Sequence, residues 1–396
     1  MDENRLVSFT QSLIRARSYS GEEQEVVKRV AQEMSSLGFD RVWVDEFGSA
    51  VGVIQGARPG KTLLMDGHVD VVFANPADWS IDPFAGVILD DHLYGRGVAD
   101  MKGSLAAMIH AAASLDRVAL AGSVIVSATV LEEVMEGVAL AEVIKSVKPD
   151  FVIIGEATNF ALNRAGRGRA EIVLETIGKS AHSSSPQAGI CAVHRMLDLI
   201  PIVESARLPV DAVLGSAQIV LTDILSEPYP GHSVLPNRCR VSYDRRLMPG
   251  ETPQSVLAAF GQLDTKDIQY TVSILAGEEK SYSGKSFQGL KFYPAWKMAE
   301  DHPLLQSAWQ GLKKAGIETH LGSYNFCTNA AYSAGIAGLP TLGFGPGFET
   351  DAHTVDEKMK ISDLIQAAHG FAAITQAILA DSADDQQPSS ISGSRA

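Results

Sequence analysis

The sequence predicts an α/β fold in which a mostly parallel-sheet domain is interrupted by an inserted α+β domain. Two observations support this prediction. In the first and last parts of the chain, short apolar runs alternate with helical patterns, as in βαβ units with a parallel sheet. In the middle part, apolar and polar residues alternate with period two, which is typical of an antiparallel sheet with one solvated face. The chain has 396 residues, and this length allows two or three domains of about 150 residues each.

The first part contains apolar runs that are too short for helices and lack a polar face. Such runs predict strands that are buried on both faces. They lie at 51–54, 62–65, 123–131 and 151–154. Between them, residues 101–115 place their apolar side chains on one stripe and predict a helix.

The last part repeats this pattern. Residues 304–315 predict a helix, residues 341–345 predict another buried strand, and residues 361–379 predict a closing amphipathic helix. The tail, 381–396, is polar and has almost no apolar residues, so burial cannot offset the entropy cost of ordering it. We expect the tail to be disordered.

The middle part reads as strand, helix, strand, strand, helix, strand (βαββαβ). Alternating residues at 171–175 and 239–244 predict strands with one solvated face. The remaining elements are helical patterns at 190–205 and 253–263 and strands near 217–222 and 269–275. We therefore predict an inserted domain over residues 167–282, between two parts of one discontinuous domain, 1–166 and 283–380.

The charge balance excludes some classes of partner. The chain has 33 Lys and Arg against 47 Asp and Glu, a net charge of −14. This field repels phosphate backbones and anionic lipid surfaces, so we expect neither nucleic acid nor a membrane as a partner. The acidic, polar N-terminus does not resemble a signal peptide. Three widely spaced cysteines without a CxxC pair fit reduced thiols with structural roles, and we expect a cytoplasmic protein.

Side chains of the types that bind metals follow one predicted strand after another. In open α/β sheets, ligands bind beyond the carboxyl ends of the strands. The residues at these ends, and at the start of the helix near residue 101, are His68, Asp70, Asp100, Glu132, Glu133, Glu156 and His353. This set holds imidazoles and carboxylates without cysteine. It therefore suits a catalytic zinc site, with cobalt or manganese as the alternatives.

Two short spacings within this set indicate chemical roles. His68 and Asp70 share a face in extended chain, so Asp70 can accept the proton of the imidazole nitrogen that does not bind metal. The pair Glu132 and Glu133 follows a mostly apolar strand, so one can bind metal while the other acts as a base toward water. A lone histidine or an acidic pair is more often an ordinary structural or surface feature. The convergence of several such loops favours a site.

Sequence motifs for other chemistries are weaker or absent. Gly95-Arg96-Gly97 is not a dinucleotide loop, because Asp100 occupies the position of the last glycine in GxGxxG, and no Walker loop occurs. Three serines, 183–185, follow His182, but the chain has no GxSxG elbow, and these serines suit a loop before a proline better than a nucleophile. A serine hydrolase remains an alternative that a chelator distinguishes.

Taken together, several motifs resemble the family of two-zinc metallopeptidases and deacylases. That family includes acetylornithine deacetylase, succinyl-diaminopimelate desuccinylase, aminoacylase and carboxypeptidase G. The resemblance extends from the N-terminus to about residue 380. The motifs are MDGHVDVV (65–72), LYGRGVADMKGSLAAM (93–108), the glutamate pair (132–133), GEAT (155–158), GKSAHSSSP (178–186), and GFGPG followed by Ala352-His353.

The resemblance implies a role for each matching residue. Asp100 is expected to bridge two metal ions, with Glu132 as general base and Asp70 as a residue that supports the metal ligands. The other ligands are expected to be His68 and Glu156 for one ion, and Glu133 and His353 for the second. In the family the peptide bond after the bridging aspartate is often cis.

The resemblance also gives the inserted domain a function. It is similar to the family's lid and dimerisation domain, which implies a homodimer. His182 matches a lid histidine that, in dimeric relatives, reaches the active site of the neighbouring subunit and polarises the scissile carbonyl. Residues 1–166 and 283–380 then form the catalytic domain.

Substrate recognition is less specified. Arg246 is a candidate to hold a substrate carboxylate, although an ion pair with Asp244 within the domain explains it equally well. Ser233 and Asn329 stand where relatives usually carry Asn and often carry Asp, so we treat both as candidate specificity residues. Glu156, where aminopeptidase and dipeptidase relatives tend to carry Asp, favours a deacylase or carboxypeptidase.

The expected function is therefore dinuclear, metal-dependent hydrolysis of a small amide that bears a carboxylate, such as an N-acyl amino acid. The alternatives within the family are a dipeptidase or aminopeptidase and an N-carbamoyl hydrolase. From another class, a metal-bound but inactive binding paralogue remains, although such paralogues generally lose at least one of the matched residues.

Overall fold

The computed structural model describes residues 1–265 and 268–380. The predicted disorder of the tail, 381–396, concerns residues outside this description. None of the helices in the described part combines the length and the apolar character that are needed to cross a bilayer.

The helices are close to the predicted ones. The closing helix has the predicted bounds, and the ends of the other predicted helices differ by at most three residues from the observed ones. The helices are α1 (Glu3–Arg15), α2 (Gln24–Ser36), α3 (Gly103–Ala113), α4 (Val138–Val147), α5 (Ala192–Glu204), α6 (Pro253–Phe260), α7 (Pro303–Lys314), α8 (Ala330–Ser333) and α9 (Ile361–Leu379).

The strands include several short pairs that the sequence patterns did not indicate. In chain order they are β1 (Arg41–Val44), β2 (Ala50–Gln55), β3 (Arg58–His68), β4 (Val87–Leu89), β5 (His92–Tyr94), β6 (Ala121–Thr129), β7 (Phe151–Ile154), β8 (Leu162–Gly166), β9 (Gly168–Ile177), β10 (Val210–Asp211), β11 (Gly215–Ser216), β12 (Gln218–Glu227), β13 (Arg238–Leu247), β14 (Tyr270–Ile274), β15 (Ala276–Lys280), β16 (Ser286–Leu290), β17 (Phe292–Tyr293), β18 (Trp296–Lys297), β19 (Leu321–Tyr324), β20 (Thr341–Gly343) and β21 (Lys358–Lys360).

The main sheet has a parallel centre and antiparallel edges. Its order is β1-β2-β6-β3-β7-β20-β8-β18, with β19 also paired to β8. The four strands β6, β3, β7 and β20 run parallel to one another, whereas β2 pairs antiparallel with β6. The carboxyl ends of the four parallel strands therefore meet at one edge of the sheet.

Helices cover both faces of this sheet, which explains why its strands are apolar throughout. On β3, Leu63 packs into the core formed with α1, α2, α3, α7 and α9. Its neighbour Leu64 packs into a second core, formed with α4 and α8. Successive side chains of a strand point to opposite faces, so a strand between two helical layers has no polar face.

The inserted α+β unit is built on an antiparallel sheet with the order β12-β13-β9-β14. The chain order β9-α5-β12-β13-α6-β14 is the predicted βαββαβ. Alternate residues of β13, among them Val241 and Tyr243, pack against α5 and α6, while the other face of the sheet is largely solvated. We call this unit the lid.

The predicted boundary of the lid at residues 282 and 283 lies in the turn between β15 and β16. Beyond that turn, Phe292 and Tyr293 still pair with β9 of the lid sheet. The turn itself is bonded to the main domain, because Tyr282 Oη donates to the carbonyl of Gly48 at 2.9 Å. The domain limits stay a prediction.

Candidate metal centre

The candidate centre lies at the carboxyl ends of the four parallel strands. His68 is the last residue of β3, and Glu156 follows the end of β7 by two residues. Glu132 and Glu133 follow β6, and His353 lies on the loop after β20. Because these strand ends share one edge of the sheet, residues that are far apart in sequence come together there.

Asp100 lies at the middle of this group and faces both histidines. Its Oδ1 lies 2.9 Å from Nε2 of His68, and its Oδ2 lies 3.1 Å from Nε2 of His353. The peptide bond between Asp100 and Met101 is cis. Each oxygen of one carboxylate thus faces a different imidazole, which is the arrangement that a bridging ligand requires.

The remaining predicted ligands divide between the two sides of Asp100. On one side, Oε1 of Glu156 lies 3.5 Å from Nε2 of His68. On the other side, Oε2 of Glu133 lies 3.1 Å from Nε2 of His353. Glu132 lies farther from the first histidine, with its Oε2 at 3.9 Å from Nε2 of His68.

The buried carboxylates of this cluster favour the binding of cations. Burial raises the pKa of Glu156 to about 7 and raises the pKa values of Glu132 and Glu133 above their usual range, and neighbouring carboxylates add to each shift. Hydrogen bonds to Asp100 and Glu133 raise the pKa of His353 to about 10. Buried carboxylates that repel one another are stabilised by bound cations, and oxygen and imidazole donors without thiolate suit divalent ions. The residues present therefore fit a pair of such ions.

Asp70 is buried beneath the centre, but its contacts differ from the predicted ones. Nδ1 of His68 lies 2.8 Å from the main-chain oxygen of Asp70 and 3.6 Å from its carboxylate. The carboxylate instead accepts the backbone N–H groups of Glu132 at 3.0 Å and Glu133 at 3.1 Å. The prediction that the Asp70 side chain accepts the imidazole proton needs correction: the main-chain carbonyl does so, while the side chain holds the glutamate pair.

Two further residues of this support were missed in the sequence. Oε1 of Glu23 accepts the backbone N–H of Leu131 at 3.2 Å, and Oγ of Ser20 donates to Asp70 at 2.7 Å. Three successive N–H groups, at residues 131–133, are thus held by buried carboxylates. Glu23 follows another glutamate in a polar segment before α2, so nothing in the local sequence distinguishes it from a surface residue.

A pocket of about 260 Å³ opens onto the cluster, and two residues of the lid, Arg169 and Arg246, contribute to its lining. Arg246 lines this pocket, and its Nε lies 2.8 Å from Oδ1 of Asp244. The expected ion pair with Asp244 is therefore present, and the expectation that Arg246 holds a substrate carboxylate stays a prediction. Cys327 also lines the pocket, and all three cysteines are free thiols.

An ion pair joins the lid to the main domain beside the pocket, and sequence reasoning missed it. Nη1 of Arg169, on β9, lies 2.5 Å from Oε1 of Glu136, which follows Glu132 and Glu133 in the loop after β6. Arg169 also contacts Glu171 and lies 3.3 Å from Asp244. The partners are distant in sequence, so only the packing of the two units brings them together.

His182 and Ser233 lie together on the lid, away from this pocket. Both are exposed, and the backbone N–H of Ser183 donates to the carbonyl of Ser233 at 2.9 Å. Neither lines the pocket of its own chain. Their roles stay predictions.

Asn329 is a packing residue in this structure. It is 3% exposed, and its Nδ2 donates to Asp66 at 2.8 Å and to Thr129 at 3.0 Å. Its Oδ1 accepts the backbone N–H of Gly137 at 2.6 Å. Its amide is thus hydrogen-bonded inside the protein, and its role as a specificity residue stays a prediction.

Comparison with known proteins gives consistent results. Residues 64–377 match the model of "Peptidase family M20/M25/M40". The chain is 32% identical over 386 residues to the Escherichia coli protein YgeY, covering 95% of this chain and 94% of that protein. It is 30% identical to acetylornithine deacetylase of Proteus mirabilis, over 74% of each chain. In fold it resembles the Bacillus subtilis protein YXEP, described as a dinuclear metal binding peptidase, with a TM-score of 0.71, 15% identity and coverage of 95% and 98% of the two chains.

Proposed function

Because this chain belongs to peptidase family M20/M25/M40 and is a hydrolase of amide or peptide bonds, we propose that it removes the acyl group from a small N-acyl amino acid or a related compound that bears a carboxylate. The observation that carries this proposal is the placement of the two carboxylate oxygens of Asp100, each facing a different histidine. The products are a carboxylate and a free amine.

The proposed ligand set uses the two sides of Asp100. His68 and Glu156 hold one ion with Asp100, and Glu133 and His353 hold the second ion with Asp100. We assign zinc to both positions, with cobalt or manganese as alternatives, because imidazole and carboxylate ligands without cysteine are typical of catalytic zinc. When bound, such ions supply Lewis-acid catalysis and lower the pKa of water.

Glu132 is the proposed proton carrier. It lies farther from His68 than Glu156 does, at 3.9 Å against 3.5 Å, and it lines the pocket. Burial and the neighbouring glutamates raise the pKa of Glu132, which suits a residue that takes a proton from water and delivers it to the leaving amine. The carboxylate of Asp70 fixes the backbone on which Glu132 stands.

Arg246 and the size of the pocket support a small, carboxylate-bearing substrate. A volume of about 260 Å³ is below the usual range of 300–1,000 Å³ for drug-sized ligands. Asp244 engages Nε and Nη2 of Arg246, and we assign Nη1 to the substrate carboxylate. Glu156, at a position where aminopeptidase relatives tend to carry Asp, supports an N-acyl substrate over a free-amine dipeptide.

A homodimer that forms through the lid accounts for the exposed lid residues. β12 lies at the edge of the lid sheet, and its Val220, Ile224 and Leu225 are about half exposed. An exposed strand edge with apolar side chains is a surface suited to pairing with a second copy. In such a dimer, His182 and Ser233 act at the partner's pocket. We place the reaction in the cytoplasm, consistent with three free thiols.

The test is release of new primary amine from a panel of N-acyl amino acids, N-carbamoyl amino acids and dipeptides. Metal-replete protein is assayed with and without chelator, and chelated samples receive zinc or cobalt again. The proposal predicts turnover of an N-acyl substrate that the chelator abolishes and added metal restores. Faster turnover of a free-amine dipeptide than of its N-acyl counterpart would reverse the assignment of the substrate.

The remaining alternatives separate in the same assay. Activity that resists the chelator would indicate a serine hydrolase and contradict the metal mechanism. No turnover by protein shown to carry two metal ions would favour an inactive binding paralogue. The matched control is Glu132→Gln protein, which should bind metal and turn over substrate at only a small fraction of the wild-type rate.

A further inference from the structure

Glu357 is a buried acidic residue that holds the loop of the candidate bridging ligand. It is 1% exposed, and its carboxylate accepts hydrogen bonds from four donors. Oε2 accepts from Nη1 of Arg96 at 2.7 Å and from the backbone N–H of Gly97 at 3.0 Å. Oε1 accepts from the backbone N–H groups of Ala99 at 2.8 Å and Asp100 at 3.2 Å. The last of these donors belongs to the residue that faces both histidines.

The backbone of Glu357 adds a fifth contact to the same loop. Its carbonyl accepts the N–H of Gly95 at 2.9 Å. Four backbone N–H groups between residues 95 and 100 therefore depend on one residue that is more than 250 positions away in the sequence. A loop whose N–H groups donate to a single buried residue keeps its conformation only while that residue is in place.

Glu357 also lies four residues after His353, on the segment that supplies the second histidine. One residue thus connects the loop of Asp100 with the segment of His353. The distance of 3.1 Å between Oδ2 of Asp100 and Nε2 of His353 depends on the relative position of these two segments.

From this geometry we infer that Glu357 is a positioning residue for the metal centre, which fixes Asp100 relative to His353 and thereby sets the affinity for both ions. The inference rests on the proposed function, in which Asp100 bridges the two ions. Because a bridging carboxylate belongs to both ions, a displaced loop weakens both together. Outer contacts of metal ligands typically change affinity about 10- to 100-fold when they are lost.

Glu357→Gln is the most direct perturbation, because it keeps the size of the side chain. An amide offers one oxygen and one NH₂ group, whereas the protein presents donors to both positions. In one orientation of the amide, Nη1 of Arg96 and the N–H of Gly97 face the NH₂ group and lose their acceptor. In the other orientation, the N–H groups of Ala99 and Asp100 lose theirs.

Asp45→Ala provides the matched control. Asp45 lies in the turn between β1 and β2, and its Oδ1 accepts three backbone N–H groups, those of Phe47, Gly48 and Ser49, at 2.9, 2.8 and 2.9 Å. It is therefore another carboxylate that orders a backbone turn, but one that lies outside the metal centre. Its loss measures what disturbance of a turn alone does to metal binding.

The experiment is a titration of metal-free protein with zinc against a chromophoric chelator, with thermal unfolding of the same metal-free samples. Wild-type protein should bind two ions. Glu357→Gln should weaken the binding of both ions by about 10-fold or more, and Asp45→Ala should bind as wild type even if its Tm falls equally. Co²⁺ absorption spectra should change in Glu357→Gln alone.

Three results are distinguishable. If the wild type does not bind two ions, the proposed function fails. If the wild type binds two ions and Glu357→Gln binds them equally well, the inference fails and Glu357 is only a structural residue. If Glu357→Gln does not fold, Glu357→Asp is titrated in its place. It keeps the charge but is too short to reach both donor pairs, and wild-type affinity in that variant would overturn the inference.

Discussion

Breaking the ion pair between Arg169 and Glu136 should lower the free energy of unfolding much more when Arg169 is removed than when Glu136 is removed. Arg169 contacts three carboxylates, so removal of Glu136 leaves it with Glu171 and Asp244. Glu136 is 6% exposed, and its Oε2 has no hydrogen-bond partner among the described residues. Removal of Arg169 therefore leaves a buried carboxylate without its hydrogen-bonded cation.

The expected magnitudes follow from this difference. Arg169→Met should lower the free energy of unfolding by about 3–5 kcal/mol at pH 8, the cost of breaking a buried ion pair from one side. Glu136→Gln should lower it by only about 1 kcal/mol, because the amide oxygen still accepts from the guanidinium and two carboxylates remain. The double variant should be more stable than Arg169→Met, because it no longer buries an unpaired charge.

The asymmetry should also depend on pH. Burial raises the pKa of Glu136, and the nearby guanidinium of Arg169 opposes that shift, so the pKa rises further when Arg169 is lost. A carboxyl group whose pKa in the folded state lies above its unfolded value of about 4.3 destabilises the folded state. This effect grows as the pH rises from the unfolded pKa to the folded one. The penalty of Arg169→Met should therefore be small near pH 4 and grow toward pH 8.

Urea unfolding of the four proteins at pH 5 and pH 8, followed by circular dichroism and by tryptophan fluorescence, measures these differences. Coincident transitions with the two probes justify a single free energy of unfolding. Equal losses for Arg169→Met and Glu136→Gln, or a penalty that shrinks as the pH rises, would refute the reasoning.

Further predictions concern the pocket and the packing beneath it. Glu132→Gln should keep its metal content and lose about 10²- to 10⁴-fold in kcat, the usual contribution of general acid-base catalysis; a near-normal rate would remove Glu132 from the mechanism. His182→Ala should lose mainly kcat, and mixing it with Glu132→Gln protein should restore part of the activity through hybrid dimers. Persistent inactivity of the mixture would contradict action across subunits. Asn329→Asp should lower the free energy of unfolding by about 1–3 kcal/mol, because it places a carboxylate against buried Asp66, 2.8 Å from the present Nδ2. Burial raises the pKa of Asp66 to about 6, so the loss should be larger at pH 8 than at pH 5, and urea unfolding at the two pH values checks this.

The sequence was most informative where one physical rule decides the structure. Strands that are buried on both faces must be apolar throughout, so the cores of β3, β6, β7 and β20 were visible as short apolar runs. Polar residues at or just beyond the ends of such strands are conspicuous, which is why His68, Glu133 and Glu156 could be predicted as neighbours. The period of two in β13 likewise revealed the solvated face of the lid sheet.

The sequence was least informative about contacts between distant segments. Glu23 and Glu357 are acidic residues in polar surroundings, and only the folded chain shows that each holds the backbone of a loop at the centre. Asn329 looked like a specificity residue because it differs from relatives, yet its partners are the side chains of Asp66 and Thr129. Composition and spacing do not show which groups a buried side chain will form hydrogen bonds with.

The direction of β2 shows a related limit. Its apolar run looks like those of the parallel strands, but β2 pairs antiparallel with β6 at the flank of the parallel centre. An apolar run reports burial on both faces and carries no information about strand direction. Direction follows from the connections, and β1 and β2 form a hairpin whose turn is held by Asp45.

The central claim is that Asp100 brings two metal ions together for amide hydrolysis. The most direct measurement is amine release by metal-free protein as zinc is added back, with bound zinc counted in the same samples. The account predicts no turnover without metal and full turnover at two ions per chain, and it predicts that Asp100→Ala neither holds two ions nor turns over substrate. Undiminished turnover by metal-free wild-type protein would contradict it.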